Sequence, residues 1–167
     1  LDRSSSRVPG DTRQRQAPRI TRMDAELSDR RRSSERLAHG GLTEQLIKLF
    51  FAVHQELGGG FAEAVYANAY AIALQDAGLS FERESPTSVR FRGRVVGVGR
   101  PDFIVAGSVI VECKAVRALE EWHRGQVLHY LRATGLTVGL LLSFGPRPSF
   151  VRIVLGAKDR ATADDAE

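Results

Sequence analysis

The sequence predicts a single α/β domain, a mixed central β-sheet flanked by helices, on three observations. Two helix-period stretches come first, over about 42–77. A region rich in β-branched residues follows over 80–114, broken by turn signals. Residues 137–144 are then a wholly apolar run around one Gly and one Ser, the pattern of a central strand buried on both faces.

The first helix is expected to open at Thr43 as its N-cap. Its apolar positions are Leu46, Ile47, Phe50, Val53 and Leu57, and Gly58-Gly59-Gly60 ends it. The second spans 62–77, with Val65, Ala69, Ile72 and Ala73 expected on its apolar face and Gly78 as its stop. Strands are expected at 80–84, 87–91, 95–98, 102–105 and 109–114, separated by Pro86, Arg92-Gly93 and the short loop 106–108. A third helix covers 119–134, with Leu119 and Trp122 anchoring it in the core and Gly135 stopping it. Strands 137–144 and 150–155 complete the order ααβββββαββ.

Residues 1–41 are rich in Arg and Ser and poor in large apolar residues, so they are expected to be disordered. A solvated tail is the reading preferred over a nucleic-acid-binding arm. The only methionine is Met23, which leaves open whether the residues before it are translated. The tail holds ten Arg against six Asp or Glu, and the remaining chain balances fourteen basic residues with fourteen acidic ones. The net charge of +4 therefore sits in the tail, and it cannot argue for a nucleic-acid partner. The one cysteine, Cys113, excludes an internal disulfide. No apolar run approaches the roughly 20 residues that span a bilayer, and no secretory signal is visible. The cytoplasm is the expected location. Residues 156–167 are polar and acidic and are expected to fray.

The most informative stretch is 100–114. The three-residue loop 106–108 pairs Val105 with Val109, which sets Asp102 across from Glu112, with Cβ atoms roughly 4.5–5.5 Å apart. Glu112 and Lys114 are two residues apart and share that strand face, while Phe103, Val105, Val111 and Cys113 turn toward apolar packing. Two carboxylates this close repel unless a cation stands between them. Mg²⁺ suits the place, because it takes one or two carboxylates plus water and phosphate oxygens. Lys114 beside it can hold an attacking water or stabilise charge developing on a phosphate. A solvated strand face with an ordinary ion pair is the competing reading.

Further elements carry a resemblance. The run Gly60-Phe-Ala-Glu63-Ala-Val-Tyr66 is similar to the G-x-x-E-x-x-Y signature of the GxxExxY family. Asp102 with Glu112-Cys-Lys114 resembles the core of the PD-(D/E)XK nuclease superfamily, to which that family belongs. Gln126-Val-Leu-His-Tyr130 resembles the Q-x-x-x-Y element of its exonuclease-like branch. The resemblance covers 42–155 and implies a restriction-endonuclease-like core. It implies that Asp102 and Glu112 bind Mg²⁺ or Mn²⁺, that Glu63 reaches the metal from the second helix, and that Lys114 assists the water. Gln126 and Tyr130 would approach the site or the nucleic acid. The implied activity is metal-dependent hydrolysis of phosphodiester bonds in DNA. The alternative is a catalytically silent nucleic-acid- or protein-binding module on the same scaffold. A homodimer is expected if both strands of a duplex are cut.

Beside these, Tyr66 and Tyr70 read as packing residues. His123 shares a helix face with Gln126 and Tyr130. It reads either as a phosphate contact or, preferably, as a partly exposed helix histidine. Cys113 reads as a small buried apolar residue. His54 and His129 lack neighbours at zinc-ligand spacing. Arg83, Arg90, Arg92 and Arg94 either hold a phosphate backbone or form a mixed surface with Glu82 and Glu84.

Overall fold

The computed structural model describes residues 22–156, with side chains from residue 39 onward. Ten elements follow one another: α1 (Arg22–Leu57), α2 (Glu63–Asp76), β1 (Phe81–Arg83), β2 (Thr87–Phe91), β3 (Arg94–Gly99), β4 (Phe103–Val105), β5 (Val109–Lys114), α3 (Glu121–Thr134), β6 (Val138–Ser143) and β7 (Ser149–Val154). The element order expected from the sequence is the order observed. Contacts divide the chain into a unit of residues 1–34, described only as the helical stretch 22–34, and a unit of residues 35–167. The expected disorder of residues 1–21 and fraying of residues 157–167 lie outside the described residues. Among the described residues, no helix is long and apolar enough to cross a membrane.

The second unit is built on a mixed sheet of order β1-β4-β5-β6-β7. Among the described strands only β5 and β6 run parallel, joined by the crossover helix α3. β6 is buried at all six positions, as its apolar run required. Strands β2 and β3 form a separate two-stranded ribbon.

Period-2 alternation divides the core between the two sheet faces. Phe103, Val105, Val109, Val111, Cys113, Leu140 and Leu142 pack with Leu46 and Phe50 of α1 and Tyr66 and Tyr70 of α2. Ile110, Leu141 and Ile153 pack instead with Val127 and Leu131 of α3. Phe144 joins the first cluster, its ring stacked on Tyr66 at 4.8 Å and edge-on to Phe50 at 4.8 Å.

Three expectations are corrected here. Helix α1 begins at Arg22, not Thr43: the Thr43 hydroxyl donates back to the His39 carbonyl at 2.8 Å, a mid-helix bond and not a cap. The preceding stretch is rich in Ala, Leu, Glu and Arg, good helix formers whatever they bury. The inward face of α2 is Tyr66, Ala67, Tyr70, Ala71 and Leu74, whereas Val65 and Ile72 are exposed. The two tyrosines bury more area, and each hydroxyl finds a carbonyl: Tyr66 donates to Gly58 at 2.7 Å and Tyr70 to Leu46 at 2.9 Å. Trp122 is 62% exposed and anchors nothing in the core; its indole N–H donates to the Glu120 carboxylate at 2.8 Å. Leu119 is only partly buried, against the α3 cluster.

Helix α3 lies close on β6 because residue 139 has no side chain. A Cβ at Gly139 would stand 2.5 Å from Cγ1 of Val127, a stiff and fully buried side chain. Gly139→Ala should therefore destabilise the domain by about 1–3 kcal/mol through overpacking. Adding Val127→Ala should recover part of that loss. Urea unfolding of the two single variants and the double variant checks it; additive losses would mean that the contact does not set the spacing.

Candidate active site

The β4–β5 hairpin has the expected register: Val105 pairs with Val109, Ile104 with Ile110 and Phe103 with Val111. Asp102 stands one residue before β4, across from Glu112. Two hydrogen bonds clamp the pair. The Cys113 N–H donates to Asp102 Oδ2 at 2.7 Å, and the Asp102 N–H donates to Glu112 Oε2 at 3.4 Å. Lys114, next on the same face, donates from Nζ to Glu112 Oε1 at 2.8 Å. The same ammonium lies 3.7 Å from Oε1 of Glu63, the first residue of α2. Glu112 and Lys114 are buried, Asp102 is half-buried, and the Glu63 side chain is 46% exposed.

Burial governs the charges here. It raises the carboxyl pKa of Asp102 above its ordinary value, against the opposing pull of the Cys113 N–H and the Lys114 charge. Burial, then repulsion from Asp102, pushes Glu112 up to about 7, although Lys114 pulls the other way. Burial works against the Lys114 charge, but the hydrogen bond and charge of Glu112, with Glu63 and Asp102 behind it, outweigh that and raise its pKa. The cluster thus holds more negative charge than its one lysine can balance.

Of the residues singled out in the sequence, the structure brings together Asp102, Glu112 and Lys114 directly, and Glu63 through Lys114. Among the described residues, no three of His, Cys, Asp and Glu form a group able to hold a metal ion. Lys114 Nζ stands between Glu112 and Glu63. Gln126 donates from Nε2 to Tyr130 Oη at 3.1 Å, which keeps these two partners on their own stretch of α3. Tyr130 lies against Gly99, where a Cβ would stand 2.5 Å from the ring. That contact carries α3 toward the chain entering Asp102.

His123 is not partly exposed as expected but 2% exposed. Its Nδ1 accepts the Glu120 N–H at 2.9 Å at the start of α3, which leaves the neutral ring's proton on Nε2. His123 Nε2 and Gln126 Oε1 are buried polar atoms without a hydrogen-bond partner among the described residues. Cys113 is fully buried, as read, but its backbone N–H is the principal partner of Asp102, which side-chain types alone could not reveal. The arginines part company: Arg83 stands over the Phe103 ring at 5.4 Å on the main sheet, while Arg90, Arg92 and Arg94 belong to the β2–β3 ribbon.

The fold and this site define an α/β domain whose sheet presents an acidic pair and a lysine on one strand face. A model of the PD-(D/E)XK nuclease superfamily matches residues 41–153, and the chain belongs to that superfamily. The crystal structure of SSO0001 is similar at a TM-score of 0.46 and 21% identity, over 63% of this chain and 57% of that one. This chain thus spans just over half the length of that protein. A search of curated proteins finds no match.

The proton affinity of Glu112 has a measurable consequence. Its carboxyl holds a proton to about pH 7 when folded, against an ordinary value of 4.5. A raised folded value stabilises fully below the unfolded one and is lost as pH rises through the folded one. Asp102 shifts the same way. Lys114 is raised from 10.5, so its contribution disappears only above that range. In chelator, the melting temperature should fall between pH 5 and pH 8, and Glu112→Gln should remove most of that fall. An equal fall in Glu112→Gln would show that the buried carboxyl is not its source.

Proposed function

We propose that this chain is a metal-dependent nuclease that hydrolyses phosphodiester bonds in DNA, with Asp102, Glu112 and Lys114 as its catalytic centre. The observation that carries this reading is the clamped Asp102–Glu112 pair with Lys114 on the same face. The donor set fits a hard divalent cation: two carboxylates lie together, their proton affinity is raised by burial, and the protein's one lysine there is shared with Glu63. Asp102 and Glu112 would hold Mg²⁺ or Mn²⁺. Glu63 would join them if Lys114 turned away from it. The bound ion would acidify a water and neutralise charge on the phosphate. Lys114 would then use its ammonium to orient that water or stabilise the phosphate oxygens as charge develops. Gly60, Glu63 and Tyr66 support placement in the GxxExxY family, and Gln126 and Tyr130 would contact the substrate strand.

One observation favours the second reading, a silent binding module. The Lys114–Glu112 ion pair already satisfies part of the acidic pair with a cation of the protein's own. The two readings differ in how the chain responds to divalent ions. On the catalytic reading, Mg²⁺ or Mn²⁺ raises the melting temperature, because the ion binds only the folded state. Asp102→Ala and Glu112→Ala lose that rise. Lys114→Ala keeps it, while cleavage of labelled DNA drops by about 10²-fold or more. Wild-type thermal response retained in both carboxylate variants would sink the metal site. A metal response with no cleavage across single-stranded, duplex and branched substrates would establish the silent module.

A further inference from the structure

Helix α3 covers the sheet face that carries the site. Ile110 and Leu141 pack under its Val127 and Leu131, and Glu112 and Lys114 continue that face of β5 at two-residue steps. The helix returns the chain from the end of β5 to the start of β6, so its first turn stands at the end of the sheet where Lys114 pairs with Ser143. Val127 lies over Gly139. His123, one turn earlier in the helix, therefore falls toward Leu141 and its strand partner Glu112. Trp122 stands in the same turn. It is the chain's one tryptophan, and it is 62% exposed. Its ring is nevertheless fixed. The indole N–H donates to Glu120 Oε2 at 2.8 Å, and one face lies on the His123 imidazole, with centroids 3.7 Å apart and planes inclined by 29°. His123 is itself buried and held by the Glu120 N–H.

We infer that Trp122 is a stacking platform for a base of the substrate, one that lies out of the duplex stack near the phosphate that is cut. The inference rests on the nuclease reading for the class of its ligand and adds to it a contact that every base can make. Four features support it. An indole left in water forgoes the burial that a core tryptophan gains, and with one face on His123 its exposure lies on the other. The ring is held before any ligand arrives, so stacking on it orders little further. Glu120 and Glu121 flank it in sequence, so the place suits the π-face of a base and repels a bare phosphate. Beside the ring, His123 Nε2 and Gln126 Oε1 are buried polar atoms with no hydrogen-bond partner among the described residues, so this end of α3 holds polar groups that the domain's own atoms do not satisfy.

The test uses the full chain carrying Lys114→Ala, which keeps the probe intact, in Mg²⁺, with a short single-stranded DNA oligonucleotide. Trp122 is the chain's one tryptophan, so its fluorescence reports this place alone. Binding should quench it. A set of oligonucleotides, each with one abasic position, should contain one that binds without quenching. Trp122→Ala should weaken binding roughly tenfold or more, and Trp122→Phe should restore most of the loss. Because the ring is exposed, both variants should melt like the parent and keep its Mg²⁺-induced shift. Binding that leaves the fluorescence unchanged, together with full affinity in Trp122→Ala, would overturn the platform while leaving the metal centre standing. Quenching on self-association without DNA, lost with the dimer in Trp122→Ala while DNA affinity stays, would overturn it too and assign the ring to a second copy of the chain. A parent chain that binds no oligonucleotide would instead defeat the nuclease reading, and this inference with it.

Discussion

The site depends on one hydrogen bond, from the Cys113 N–H to the Asp102 carboxylate. It ties the chain entering β4 to the strand that carries Glu112 and Lys114, so three charged groups stand together where a free loop would let them part. The bond exists only in one register of the β4–β5 hairpin, and a slip of one residue would send every side chain to the opposite face. The opposite face decides the matter. Phe103, Val105, Val109, Val111 and Cys113 are all fully buried there against α1 and α2. A slipped strand would drive Glu112 and Lys114 into that aromatic core, and unpaired burial of such ions costs several kcal/mol each. The apolar face sets the register, and the acidic pair follows from it.

The same arrangement keeps the carboxylates under strain. If both were ionised, Asp102 and Glu112 would set two negative charges against the one positive charge of Lys114, which Glu63 also draws on. Burial forbids the excess charge its water, so a proton or a metal ion must make up the difference. Protons and metal compete for the same oxygens, so metal affinity should rise as pH rises. A core that packs by apolar contacts alone has no such dependence. The domain's stability and its proposed chemistry meet in these two side chains.

Much of this was legible in the sequence, for local reasons. Strand period, loop length and the spacing of Asp102, Glu112 and Lys114 act over a few residues, and the hairpin's register followed from them. Choices between partners distant in the chain did not. Val65 and Ile72 looked like the inner face of α2, but Tyr66 and Tyr70 displaced them because Gly58 and Leu46 offer carbonyls to their hydroxyls. Trp122 looked like an anchor, yet it lies outside while His123 goes in, because the Glu120 N–H needs the His123 ring. Thr43 looked like a cap, and burial arguments had no way to register that good helix formers continue before it. Glu63 appears through its contact with Lys114, and the metal role carried over to it from the family remains a proposal.

The arginines show why adjacency in sequence misleads about electrostatics. Arg83, Arg90, Arg92 and Arg94 fall within twelve residues, yet β1 joins the main sheet and β2–β3 form a ribbon, so the group is divided. Arg90 spends its guanidinium within the ribbon, donating to the Gly93 carbonyl at 3.0 Å. Beyond residue 41 the basic and acidic residues are equal in number, so net charge draws no polyanion to this domain. What the fold supplies is separation: Asp102, Glu112 and Lys114 stand together at the end of the β4–β5 hairpin, while the arginines that lie close in sequence are divided between the main sheet and the ribbon.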